Sequence, residues 1–265
     1  MFASSGSSAP LPGEVVARLR AAGCVFAEDE ARLLVAGART PDELAAMVER
    51  RAAGLPLEHV LGWAAFHGLR VAVDPGVFVP RRRTEFLVDR AAALAPPRPV
   101  VVDLCCGSGA LGAALASVAE GAELYAADLD PAAVRCARRN LPAGARVYQG
   151  DLFAPLPAGI RGRVDLLLAN VPYVPSEEVG LLPPEARIHE ARVALDGGAD
   201  GLDLVRRVAG EAPGWLAPGG SLLVETGERQ AGGAVEAFAA GGLVPSVATS
   251  EEWHATVVIG TRPGG

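Results

Sequence analysis

An apolar run, Val164–Ala169, interrupted only by Asp165, gives way to Asn170-Val171-Pro172-Tyr173. These four residues could do chemistry on a planar nitrogen. An amide or aromatic amine is a poor nucleophile because its lone pair is delocalised. A side-chain amide oxygen and a backbone carbonyl, both acceptors, can hold its two N–H groups. That fixes the nitrogen in line with its reaction partner and stabilises the positive charge developing on it. Pro172 lacks a donor and fixes its own backbone angle. Val171, just before it, is held extended. Tyr173 can lie flat on the planar group. Taken alone, the tetrapeptide also reads as a loop of turn residues.

Three other strand ends change the balance. In open parallel sheets, ligands bind beyond the carboxyl ends of the strands. The strand VVVDL is followed by Cys105-Cys106-Gly107-Ser108-Gly109, a Gly-x-Gly turn opening a helix. Glycine there lets a ligand approach the backbone. Gly112 completes a dinucleotide-type spacing, so the glycines alone leave a dinucleotide open. Asp103, four residues before Gly107, suits a cationic ligand group and would repel a pyrophosphate. That favours S-adenosylmethionine. The next strand ends at Asp128 and Leu129, where a carboxylate can accept from ribose hydroxyls. The third ends at Asp151, Leu152 and Phe153. Asp151 could bind an adenine amino group, with the two apolar residues walling the base. A solvated turn acid fits Asp151 equally well. Glu225, closing LLVET, is a lesser candidate to face the pocket.

The elements that must position these residues follow from periodicity. From Thr84 onward, strand and helix patterns alternate, which implies a mostly parallel sheet covered on both faces. The two closing strands, SVATS and ATVVIGT, are too close together for a crossover and should pair antiparallel at one edge. The expected fold class is therefore α/β: a Rossmann-like seven-stranded sheet with an antiparallel edge. Ahead of it, residues 13–63 read as a helical domain. Thr40, Pro41 and Glu43 form a capping-box signature, and that helix should end near Gly54. Residues 64–83 read as a β-hairpin linker around Gly68, and 84–265 as the catalytic domain. Residues 1–12, rich in Ser, Gly and Pro, are expected to be disordered.

Composition narrows the function classes. Of 265 residues half are hydrophobic but only 5% aromatic, so the core is built from Ala, Val and Leu. The formal net charge of −7 argues against duplex DNA or RNA as the main partner. The dense basic run Arg81–Arg83 is either solvated or meets an acidic partner or phosphates. Four cysteines without zinc spacing suit a reduced, cytoplasmic protein. No targeting segment or membrane span is evident. The four histidines and Cys105 read as structural, and no metal site is expected.

The combination of PLEHVLGWAAFHGLRVAVDPGVFVPRRRTE, DLCCGSGALG, NVPYVP and EARIHEARVALDGGADGLD resembles the HemK/PrmC family of release-factor glutamine N5-methyltransferases over nearly the whole chain. Pro80, Arg81, Thr84 and Glu85 match the end of that family's linker. NVPY stands where the family has Asn-Pro-Pro-Tyr, and Ala191 where it often has proline. The resemblance implies a class I S-adenosylmethionine-dependent methyltransferase fold and methylation of a glutamine side chain in the Gly-Gly-Gln loop of a peptide chain release factor. It implies that Cys105–Gly109 cradle the methionine part, Asp128 the ribose, and that Leu152 lies by the adenine. Asn170, Pro172 and Tyr173 would be catalytic, with Asn170 touching both cofactor and target. Arg81, Thr84 and Val171 join them as substrate contacts. The helical domain would help hold the protein substrate, and a monomer is expected. Two other readings stay open: an adenine N-methyltransferase, and a module that keeps the cofactor pocket without turnover.

Overall fold

The structure, a computed structural model, describes residues 12–264. The expected disorder over residues 1–12 therefore lies outside the described residues, except that Pro12 opens the first helix.

Four helices come first: α1 (Pro12–Ala21), α2 (Ala27–Gly37), α3 (Pro41–Ala52) and α4 (Leu57–Leu61). Their apolar faces meet in a core of their own around Leu19, Leu34, Leu44 and Val60. Thr40 caps α3, its hydroxyl accepting from Glu43 N–H at 3.1 Å. The second half of the capping box differs from expectation: the Glu43 carboxylate accepts from the backbone of Arg39 at 2.9 Å, not from Thr40. Arg39 also pairs its side chain with the same carboxylate, which draws it one residue back. Helix α4 falls within residues 13–63, and Val60 anchors it to the helical core.

The hairpin β1 (Trp63–Phe66) and β2 (Leu69–Ala72) follows. His67 and Gly68 both have positive φ, 47° and 74°, as a two-residue type I′ turn requires. Next come α5 (Glu85–Leu94), β3 (Val100–Leu104), α6 (Ala110–Val118), β4 (Glu123–Asp128), α7 (Pro131–Asn140), β5 (Arg146–Gln149) and β6 (Val164–Ala169). The chain continues through α8 (Pro184–His189), α9 (Asp203–Glu211), β7 (Leu216–Thr226), α10 (Ala231–Ala240), β8 (Val244–Ser250) and β9 (Ala255–Thr261).

The sheet has seven strands in the order β5-β4-β3-β6-β7-β9-β8. Strands β3 to β7 pair in parallel, and β9 pairs antiparallel with β7 and β8. This is the expected fold class. Strands β3 and β6 are apolar on both faces because helices cover both. Alternation sorts their side chains. Val102, Leu104, Leu167 and Ala169 face α9 and α10, through Val205, Val208 and Phe238. Val101, Leu166 and Leu168 face α5 and α6, through Leu87, Val88 and Leu115. The same alternation points Asp103 toward α6, where its carboxylate meets the Gly112 backbone.

Strand order reverses direction at β3, whose neighbours are β4 on one side and β6 on the other. A crevice opens at such a switch point beyond the strand ends. The turns after β3, β4, β5 and β6 all converge there.

Candidate active site

The crevice is a cavity of about 600 Å³, a size suited to a small-molecule ligand. The candidate site residues named from the sequence line it except Asp103, Gly109, Gly112, Phe153 and Glu225. Asp103 and Gly109 lie beneath the floor. Asp103 is fully buried; one oxygen accepts from Gly112 N–H at 3.0 Å, and the other, Oδ1, has no partner among the described residues. Burial raises its carboxyl to about 7, against the pull of that hydrogen bond. Gly109 adopts φ +77°, and a Cβ on it would come within 3.1 Å of the Ala137 side chain. Its glycine serves the packing of α6 on α7, whereas the sequence suggested ligand approach. Gly107 differs: at φ +54° it lines the cavity, and a Cβ there would meet no protein atom within 4 Å. The space above that turn is open for a ligand.

The turn is braced from both ends. Asp128 accepts from Gly107 N–H at 2.8 Å and from Asp130 N–H at 2.9 Å. A carboxylate has about four lone-pair sites, so two remain for hydroxyls in the cavity. Burial raises the Asp128 pKa. Asp130 meanwhile caps α7 through Ala132 N–H, as expected. Asn140, the last residue of α7, donates to Ser108 O and Ala72 O at 2.8 Å each and accepts from Ala72 N–H at 2.9 Å. It ties the hairpin to the glycine turn. Burial pushes the Cys105 and Cys106 thiols up, away from thiolate chemistry.

At the far end, Leu152 lines the cavity with φ +46°. Phe153 does not wall it: the ring is buried and stacks on Trp215 with centroids 5.4 Å apart. Asp151 is held by Arg207 of α9 at 2.7 Å, and Arg207 also lines the cavity. The two partners lie 56 residues apart in the chain.

The fourth wall is the segment after β6. Val171 is 1% exposed and belongs to the core with Leu202 and Val205, while still touching the cavity. A second backbone segment lies against it. Val174 N–H donates to Leu195 O at 3.0 Å, Gly197 N–H to Val174 O at 2.8 Å, and Gln230 Nε2 to Tyr173 O at 2.8 Å. A Cβ at Gly197 would stand 2.6 Å from Pro172 O. The approach is possible only for glycine.

The basic run is divided between two carboxylates. Arg81 pairs with buried Glu190 at 2.7 and 2.8 Å, and Glu190 also accepts from Val79 N–H. Burial raises Glu190 despite Arg81. Arg83, which is not among the residues that match the family's linker, pairs with Glu225 at 2.8 Å and donates to the Tyr173 hydroxyl. Glu225 is 2% exposed and does not line the cavity. Thr84 lines the cavity with its hydroxyl buried and without a hydrogen-bond partner among the described residues.

The arrangement is a ligand cavity with a glycine turn and a carboxylate on one side and an amide, a proline and a tyrosine on the other. Comparisons agree. The family model described as Methyltransferase small domain matches residues 68–206. The release factor glutamine methyltransferase of Geobacter sulfurreducens is 40% identical over 230 residues, covering 84% of this chain and 80% of that protein. That of Streptomyces coelicolor is 41% identical over 211 residues, covering 77% and 71%. In fold, the chain is similar to a methyltransferase from Pyrococcus furiosus, with a TM-score of 0.55 at 16% identity over 74% of this chain and 90% of that one. With the class I methyltransferase sheet order and relatives at about 40% identity over most of its length, the chain belongs to the release factor glutamine methyltransferase family.

Proposed function

We propose that this chain transfers a methyl group from S-adenosylmethionine to the side-chain amide nitrogen of a glutamine, in the Gly-Gly-Gln loop of a peptide chain release factor. The observation that carries the reading is the shared cavity: Asn170 and Tyr173 line the same space as the open Gly107 turn and Asp128. When bound, S-adenosylmethionine supplies a sulfonium-activated methyl group. The residues present fit it. The 105–108 turn offers room over Gly107, Asp128 keeps lone pairs for ribose hydroxyls, and Leu152 gives an apolar contact for the base. Asp151 is the weaker contact, since Arg207 already occupies one of its oxygens.

The chain's own contribution is positioning and hydrogen bonding. The Asn170 side-chain oxygen accepts an N–H of the target amide. Pro172 keeps the backbone stiff, and Tyr173 confines the amide plane. The amide nitrogen would take the methyl as the methyl's bond to the sulfonium sulfur breaks, leaving the neutral thioether S-adenosylhomocysteine, and would shed a proton to solvent. Val171 keeps its carbonyl despite the departure from the family's proline.

The test is transfer of label from donor to release factor, intact and with the target glutamine replaced. Transfer that ignores the replacement would sink the reading. Asn170→Ala should lose at least about 100-fold in kcat, with its melting temperature close to the parent's.

A further inference from the structure

We propose that Arg83 is a positioning residue for the transfer: it couples the hydroxyl of Tyr173 to the buried carboxylate of Glu225 and so fixes the ring that walls the target amide. The proposal rests on the methyl-transfer reading for its kinetic part and on geometry alone for its spectroscopic part.

Glu225 is the penultimate residue of β7, the strand next to β6, and its side chain is 2% exposed. A carboxylate at that depth requires a cation. Arg83 supplies it, its Nε 2.8 Å from Oε1. The second oxygen, Oε2, is buried without a partner, so Arg83 alone compensates it among the described side chains. The same guanidinium reaches Tyr173, donating from Nη2 to the hydroxyl, with its carbon 5.8 Å from the ring centroid. A guanidinium has donors only. The phenol oxygen must therefore accept, which sets the orientation of its own O–H. The backbone of Tyr173 is pinned separately by Gln230. Main chain and ring tip are thus held from two elements, and among the described residues Arg83 is the polar anchor of the ring. Arg83 is half-exposed and lines the cavity, so it stands between the core and the reacting groups. Lysine cannot replace it fully, because a single ammonium does not span the carboxylate and the phenol in one planar fork.

The experiment compares the parent with Arg83→Ala, Arg83→Lys, Tyr173→Phe and the Arg83→Ala/Tyr173→Phe double variant. Ring-13C tyrosine resonances, with Tyr173 assigned by its loss in Tyr173→Phe, should show a Tyr173 signal that shifts in Arg83→Ala. Those of Tyr125 and Tyr148 should stay in place. In the label-transfer assay, kcat should fall about tenfold in Arg83→Ala, and less in Arg83→Lys. The double variant should be no slower than Arg83→Ala alone, and calorimetric affinity for S-adenosylmethionine should stay within about twofold. An unmoved Tyr173 resonance, or losses that multiply in the double variant, would overturn the proposal. A parent without glutamine-directed transfer would fail the methyl-transfer reading instead, and the resonance test would still decide the geometry.

Discussion

Asp103 shows what a single residue's type and position tell, and what they leave out. The sequence places an acid just before the glycine turn, and the turn is indeed beside it. Strand alternation then points the carboxylate under α6, toward Gly112, away from the cavity. Its carboxylate therefore lies beneath the floor of the site. It also makes folding depend on pH. Burial, the largest cause, raises its carboxyl from 3.8 to about 7. Between those values the folded chain binds a proton that the unfolded chain has released, so stability falls as pH rises through that window and levels off above it. Asp103→Asn removes the titration. Denaturant melts at pH 4.5, 6 and 8 should show the variant gaining on the parent from the first value to the last. A difference that does not change with pH would contradict this assignment.

At the scale of elements, the loop after β6 is built by two segments, only one of which looks catalytic in the sequence. Residues 195–201 form its buttress, bonded through Leu195, Gly197 and Gly198 to Val174 and Ser176. Gly197 is one of the places where the two backbones crowd, since a Cβ would lie 2.6 Å from Pro172 O and 2.8 Å from Tyr173 Cα. Gly197→Ala should push the loop away from the cavity. We expect a destabilisation of about 1–3 kcal/mol, the usual cost of overpacking, with a larger fractional loss in kcat than in cofactor affinity. Thermal melts and calorimetry of the variant separate the two; unchanged kcat would show that the loop tolerates displacement. The run of glycines at 197, 198 and 201 was visible in the sequence, but a close approach needs both partners, and Pro172 lies 25 positions earlier. Periodicity reveals strands and helices because they are local. It is silent on which distant backbone a glycine must admit. The same holds for Asn140, a helix end that clamps Ser108 and Ala72, and for Arg83, whose partner Glu225 is 142 residues away.

For the whole molecule, the question is how the helical unit is joined to the catalytic sheet. Arg51 of α3 is the joint. It is buried, pairing with Glu30 of α2 at 2.6 Å and with Glu185 of α8 at 2.6 Å. Burial disfavours its charge, yet the two carboxylates hold its pKa above the ordinary value. Helix α8 is short and opens on Pro184, and Glu185 on it lines the cavity. One guanidinium thus connects the core of the helical unit to the rim of the site. Removing it leaves Glu30, 10% exposed at its side chain, without its cation. Arg51→Ala should therefore cost about 3–5 kcal/mol. Because the helical core has its own apolar cluster, the loss should split thermal unfolding into two transitions. Glu185→Gln breaks only the bridge to α8, which is half-exposed and worth at most about 1 kcal/mol. If the helical unit helps hold the protein substrate, that variant should raise KM for a whole release factor while leaving KM for a short glutamine peptide and cofactor affinity unchanged. Equal effects on both substrates would place the role of the joint in the site itself.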